Sequence, residues 1–485
     1  MKNLTRNAWI STALRTAILL LTTFPGLGVQ ASPSPSRTPA VSRTYVAAEA
    51  RGEDGERAVN PLTNSNYPLA AAVHPERLPD SQSRENVSLL KHVCLILFMV
   101  IPGLAIFYGS LLQGQSVLRL FWQSLGAALM VSVLWCAFGY SFVFADGSRP
   151  IFGSVTRFAF LRGVNSVPNS HYFFAGSQNV FCVYQLMFAI VASAIILDTI
   201  GGRVKFSALL AFIGFWMVFV YFPLAHMLWG IDGIMNGILN PRALIRAIDF
   251  GGGTVIQMAA GWSGLILFLI LGKPQNTEPA TLGNRRIIMC LMGQAMLCLG
   301  WYGFDSGAAV STQMIANAFV NLTLAIFAAA FAWMMADYAS SGEPGVLPFC
   351  SGAIAGLAAI TPASGFVNPT GAIIIGLSAG LIPAITRCSR FLRPLEIFAV
   401  HALGGTIGVF LTGVLATNES NHAITTGIAS PAKFNGLASL INGGGLWFEQ
   451  SKAIFCTLAL ACVVSTILGY ALKVILRFRV SHPSI

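Results

Sequence analysis

Charge is what this chain has least of. Its 485 residues hold 29 Lys and Arg and 18 Asp and Glu, 10% in all, where ordinary soluble domains carry about a quarter. That shortage excludes a soluble globular protein and indicates an all-α polytopic membrane protein. The patterns of catalysis are missing too: there is no HExxH, CxxC pair, Walker-type loop or Ser-His-acid arrangement. Gly251-Gly252-Gly253 stands where a helix starts, but no Lys follows, so it is no phosphate cradle. Nothing here suggests an enzyme or requires a cofactor or metal. The nine cysteines are scattered, mostly inside apolar runs such as those around Cys136, Cys182 and Cys298. Without metal-type spacing they read as small core residues. The formal charge of +11 comes with no basic patch interleaved with aromatics, so nucleic acid is not an expected partner. The surplus bases lie in loops and tails, where they orient spans in a lipid bilayer.

Residues 1–31 read as a signal peptide. Lys2, Arg6 and Arg15 precede the apolar Ala17 to Leu21, and Val29-Gln30-Ala31 is a small-residue cleavage site. The alternative is an uncleaved first span. Residues 32–85 are rich in Pro, Ser, Ala and charge, without apolar periodicity, and read as a disordered extracytoplasmic tail. Apolar stretches then fall at roughly 88–112, 119–145, 178–200, 206–229, 250–273, 286–304, 311–337, 347–361, 367–386, 396–417 and 452–476. Each is near the length that crosses a bilayer, about 30 Å. That gives about eleven spans over a transmembrane domain at 86–477, and a short cytoplasmic tail at 478–485. With the N-terminus outside, the C-terminus lies in the cytoplasm. Loop bases such as Arg203, Lys205, Arg285 and Arg286 agree with this, while Arg149, Arg157 and Arg242 weaken the asymmetry.

A faint internal echo accompanies the spans. Phe107-Tyr108-Gly109 ends the first as Trp301-Tyr302-Gly303 ends the sixth. The fifth opens on Asp249 and carries Gln257; the tenth opens on Glu396 and carries His401. Two inverted five-helix repeats plus one extra C-terminal helix are expected on this basis, with a site between the halves near the midplane. Polar residues inside spans are costly and mark pathways. Gln257 and His401 are therefore expected to face each other in an apolar bore, as a hydrogen-bonding rail for a small polar solute. The alternative is a structural interhelical hydrogen bond. Asp249 and Glu396 suit helix capping first, and Asp249 also suits electrostatic attraction of a cation. Trp229, Trp301, Phe188 and Phe304 suit either cation–π contacts or an interfacial belt and packing.

Nine strings together resemble the ammonium transporter, methylammonium permease and Rhesus protein family. They include PGLAIFYGSL at 102–111, VYFPLAHMLWG at 220–230, DFGGGTV at 249–255, GWYGFDSGAA at 300–309 and EIFAVHALGG at 396–405. The resemblance runs from about Leu89 to Leu476. It implies eleven spans, a homotrimer with one pore per subunit, an inner (plasma) membrane location, and ammonium or ammonia as substrate. A soluble nitrogen-regulatory protein at the cytoplasmic face belongs to the same picture. By position, Trp229 matches the aromatic of an outer ammonium site and Phe188 and Phe304 match a gating pair. Asp249 matches a carboxylate that supports cation recruitment, and His401 the second of two pore histidines.

The chain departs from that pattern in three places. Gln257 stands where the first pore histidine is expected, Ala308 where a serine of the outer site is expected, and Asp305 where an asparagine usually comes after the second gate phenylalanine. An amide keeps the shape of a hydrogen-bonding rail but does not titrate, so Gln257 breaks a proton relay. Ala308 removes an acceptor, and Asp305 adds negative charge near the mouth. The implied function is an ammonium/ammonia transporter or channel with altered selectivity or proton coupling. The alternatives are an ammonium-binding sensor with impaired conduction, or a channel for another small gas such as carbon dioxide.

Overall fold

The structure is a computed structural model. It describes residues 79–111, 117–147, 149–169, 171–172, 176–201, 203–272, 283–309, 311–388, 398–421 and 436–476. The signal segment 1–31, most of the 32–85 tail, Glu396 and the 478–485 tail lie outside them.

Among the described residues nine helices are long and apolar enough to cross a membrane. They are α1 (Gln82–Ser110), α2 (Val117–Phe144), α3 (Gln178–Leu197), α4 (Phe206–Trp229), α5 (Gly253–Leu271), α6 (Asn284–Ser306), α7 (Gln313–Ser341), α10 (Phe398–Leu415) and α11 (Leu446–Ile475). Two shorter apolar helices, α8 (Val346–Ile360) and α9 (Pro369–Ile382), stand at the expected eighth and ninth positions. Strand-type pairing among the described residues is confined to isolated bridges. The chain is a multi-pass helical membrane protein.

The first helix begins earlier than composition indicates. It is already helical at Pro79, inside the stretch assigned to the tail. Side-chain hydrogen bonds hold this polar turn. Gln82 donates to the Ser166 carbonyl at 2.7 Å. Asn86 donates to Ser177 Oγ at 2.7 Å and accepts from Ser177 N at 2.8 Å.

Small residues set the packing. Gly356 of α8 and Gly376 of α9 both lie against α7, where an added Cβ would come within 2.5 and 2.6 Å of the Ala325 carbonyl oxygen. Such approach replaces the hydrophobic drive that lipid does not supply. Burial separates centre from rim: 78% of the apolar window is buried in α3 and in α5, but 28% in α11. The site therefore sits around α3 and α5.

The helices that carry Gln257 and His401 both contain a π-helical turn, Gly253–Met258 in α5 and Phe398–Leu403 in α10. Single π turns concentrate at functional sites because they re-aim side chains. Gly261 lets the two helices meet, since a Cβ there would fall 2.5 Å from Ala402 N.

Candidate functional site

The two π turns bring Gln257 and His401 into contact. Both are buried, at 0% and 1% exposure, and His401 Nδ1 lies 2.7 Å from Gln257 Oε1. A carbonyl oxygen only accepts, so Nδ1 carries the proton. His401 Nε2 is then the acceptor, and the Tyr108 hydroxyl of α1, 3.0 Å away, donates to it. In the neutral ring these two contacts select the Nδ1–H tautomer. Gln257 Nε2 keeps its two N–H groups without a protein partner among the described residues. The expected meeting of Gln257 and His401 is present, and Tyr108 joins it. Sequence reading placed Tyr108 in an echo with Tyr302 but gave it no role; Tyr302 instead meets Thr323 at 2.8 Å.

An aromatic line leads to this pair. Trp229, at the end of α4, meets Phe188 edge-on with ring centroids 5.7 Å apart. Phe188 stacks on Phe304 at 4.1 Å and 22°. Phe304 meets Trp301 at 6.1 Å, and Trp301 lies nearly parallel to His401 at 6.5 Å and 12°. Hydrogen bonds fix this line from behind. Tyr184 OH donates to the Phe304 carbonyl at 2.6 Å, and Trp301 Nε1 donates to Thr361 Oγ1 at 2.8 Å. Trp229 Nε1 donates to the Asp249 carbonyl at 3.0 Å. The Phe188–Phe304 stack is fully buried.

Asp249 holds the turn before α5. Its Oδ1 accepts from Gly252 N and Gly253 N at 3.0 and 2.6 Å, and its Oδ2 from Thr254 N and Val255 N at 2.9 and 3.1 Å. Gly252 has φ of +96°, a left-handed position that suits glycine. Burial raises the Asp249 carboxyl to about 6, against the four N–H bonds that pull it down. With its acceptor positions engaged, the carboxylate caps the helix that follows. Gln450 of α11 clamps the preceding residue from both sides, accepting from Ile248 N at 3.0 Å and donating to its carbonyl at 2.8 Å.

Ala308 lies in the turn after α6, its N–H on the Asp305 carbonyl at 3.1 Å. It packs against a separate cluster that includes Ile248, Phe250 and Phe366. His226 is a staple between α4 and the loop after α2: Nδ1 lies 2.8 Å from the Val143 carbonyl and Nε2 3.0 Å from that of Arg149.

The Ammonium Transporter Family model matches residues 87–484. An ammonium transporter of Mycobacterium bovis is 35% identical over 413 residues, covering 81% of this chain and 84% of that one. One from Bacillus subtilis is 33% identical over 394 residues, covering 80% and 92%. Among solved structures, Saccharomyces cerevisiae Mep2 superposes with a TM-score of 0.72 at 27% identity, over 82% of this chain and 87% of that one. The matched residues take in the aromatic line, the polar pair and Asp249, and the chain belongs to the ammonium transporter family.

Proposed function

We propose that this chain moves ammonium nitrogen across the membrane as neutral ammonia. The observation that carries this reading is His401, anchored at both ring nitrogens, beside an amide whose only free valences among the described residues are N–H donors. An N–H donor meets the lone pair of ammonia. It repels ammonium, which has no lone pair. Trp229 attracts the cation at the outer end; a cation over an aromatic face gains about 0.5–2 kcal/mol. The Phe188–Phe304 stack must swing apart for passage. Beyond it the proton has no titrating carrier at Gln257, so it stays behind and flux is electroneutral.

The test is labelled methylammonium uptake into proteoliposomes, read beside membrane current. Wild type is expected to show uptake without current, and Gln257→His uptake with current. His401→Ala is expected to lose most uptake. Uptake no greater than in empty vesicles sinks the proposal, and ammonium binding without uptake identifies a sensor.

The same reading includes an inner-membrane location with the N-terminus outside, and a homotrimer. Exposed apolar side chains on α6 and α7, such as Leu291, Met292, Phe327 and Phe331, offer faces for lipid or a second copy. Arg285 and Arg286 at the start of α6 offer basic charge to a soluble nitrogen-regulatory protein.

A further inference from the structure

Asp305 is a carboxylate stranded in the protein interior. It sits one residue past Phe304, in the last turn of α6, with 0% exposure. Neither carboxylate oxygen has a hydrogen-bond partner among the described residues. Its polar neighbours are the hydroxyls of Ser364 and Thr361, and Asp249 is a charge that acts on it. Thr361 serves it weakly: its hydroxyl is shared with the Leu357 carbonyl at 2.7 Å, and it already accepts from Trp301. Ser364 is 0% exposed, and its hydroxyl, which makes no bond of good geometry among the described residues, is the donor nearest the carboxylate. Asn321 holds the Ser364 turn, donating to the carbonyls of Ser364 and Val367 at 2.8 and 2.7 Å. Its own Oδ1 is a further buried acceptor without a donor among those residues.

The cluster is thus rich in acceptors and short of donors, and it contains a carboxylate. A buried charge in that condition is costly unless something compensates it. Space has been kept for the carboxylate. Gly251 faces it, and a Cβ there would lie 2.6 Å from Asp305 Oδ1. The approach is short, since Gly307 and Ala308 in the turn after α6 are partly exposed.

We propose that Asp305 and Ser364, positioned by Asn321 and admitted by Gly251, form an internal site for a small monovalent cation. The site is separate from the polar pair. The chemistry it offers suits a dehydrated alkali ion or ammonium; the choice of ammonium as the physiological occupant rests on the transport reading above. Seated beside the second gate phenylalanine, such a site stores the charged form next to the closed stack.

The test uses the purified full chain in detergent, with thermal unfolding read against ammonium, potassium, sodium or choline chloride at constant ionic strength. Wild type is expected to show saturable stabilisation by ammonium, by potassium or by both, and none by choline. Asp305→Asn is expected to weaken that response about tenfold or more, which is about 1.4 kcal/mol. Ser364→Ala is expected to weaken it by about threefold to tenfold, the worth of one hydrogen bond. Gly251→Ala, which leaves every polar atom in place, is expected to abolish it by crowding. A response equal in wild type and Asp305→Asn overturns the site. So does stabilisation by choline as strong as by ammonium, or an infrared band of a protonated Asp305 carboxyl that ammonium does not remove. Proteoliposome uptake separates this outcome from that of the transport reading: Asp305-dependent stabilisation without uptake keeps the site and rejects transport, and uptake without such stabilisation does the reverse.

Discussion

Two acids lie buried side by side in this protein and are treated in opposite ways. Asp249 is 4% exposed and accepts from four backbone N–H groups. Asp305 is 0% exposed and accepts from none among the described residues. The first is spent on the backbone, so its work is to hold a turn and aim a helix. The second has only the hydroxyls of Ser364 and Thr361 near it, so most of its accepting capacity is in reserve for the cation proposed above. Burial alone does not separate structural from functional acids; the count of donors around each one does.

The sharpest way to break this contrast is to remove the satisfied acid. Asp249→Ala strands four N–H groups, each worth about 1–3 kcal/mol when buried and unmet. The yield of folded protein by size-exclusion chromatography is expected to collapse. A gentler probe uses pH. The Asp249 carboxyl is raised from its ordinary 3.8 to about 6, so the folded state holds this proton more tightly than the unfolded one. Its contribution to stability is therefore fullest below 3.8 and is lost as pH rises through about 6. The unfolding midpoint is expected to fall between about pH 5 and pH 7 in wild type, and by less in Asp249→Asn. Equal slopes would refute the assignment.

Asp305→Asn sharpens the contrast by its sign. In ammonium-free buffer, removing an unpaired buried charge is expected to stabilise the fold by about 1–2 kcal/mol, where Asp249→Asn destabilises it. A lowered midpoint in Asp305→Asn would mean that the acid has a hidden donor. The smallest effect is expected from Tyr108→Phe, which takes one donor from His401 Nε2 at about 1 kcal/mol. Methylammonium uptake should fall roughly fivefold while the protein stays folded; unchanged uptake would place Tyr108 outside the path.

Gln257 and His401 were legible in the sequence because a polar residue in an apolar run is conspicuous and because they take corresponding places in the two halves. The capping role of Asp249 was legible for a related reason: an acid before Gly-Gly-Gly and a span start has few other uses. Tyr108 was not, since its partner is 293 residues away and a tyrosine at a span end is ordinary. The isolation of Asp305 was not legible either. Sequence shows a charge near a mouth, but only packing shows that the Thr361 hydroxyl is already shared with the Leu357 carbonyl. Composition does not show the start of α1, because hydropathy registers apolar faces, whereas Gln82 and Asn86 extend that helix through bonds to a distant loop.

The wide turns in α5 and α10 make the pair's orientation a matter of chain length as well as side-chain identity. A π turn holds one residue more than the α-helix around it. Deleting a single residue from Gly253–Met258 would let the helix relax to regular winding, and the side chains inside the turn would lose the aim that the extra residue gives them. Gln257 and His401 would then part company with no change to either. In this architecture a one-codon loss is a more drastic event than most replacements, and length variation at these two turns is a route by which a lineage could retire the pore while keeping its scaffold.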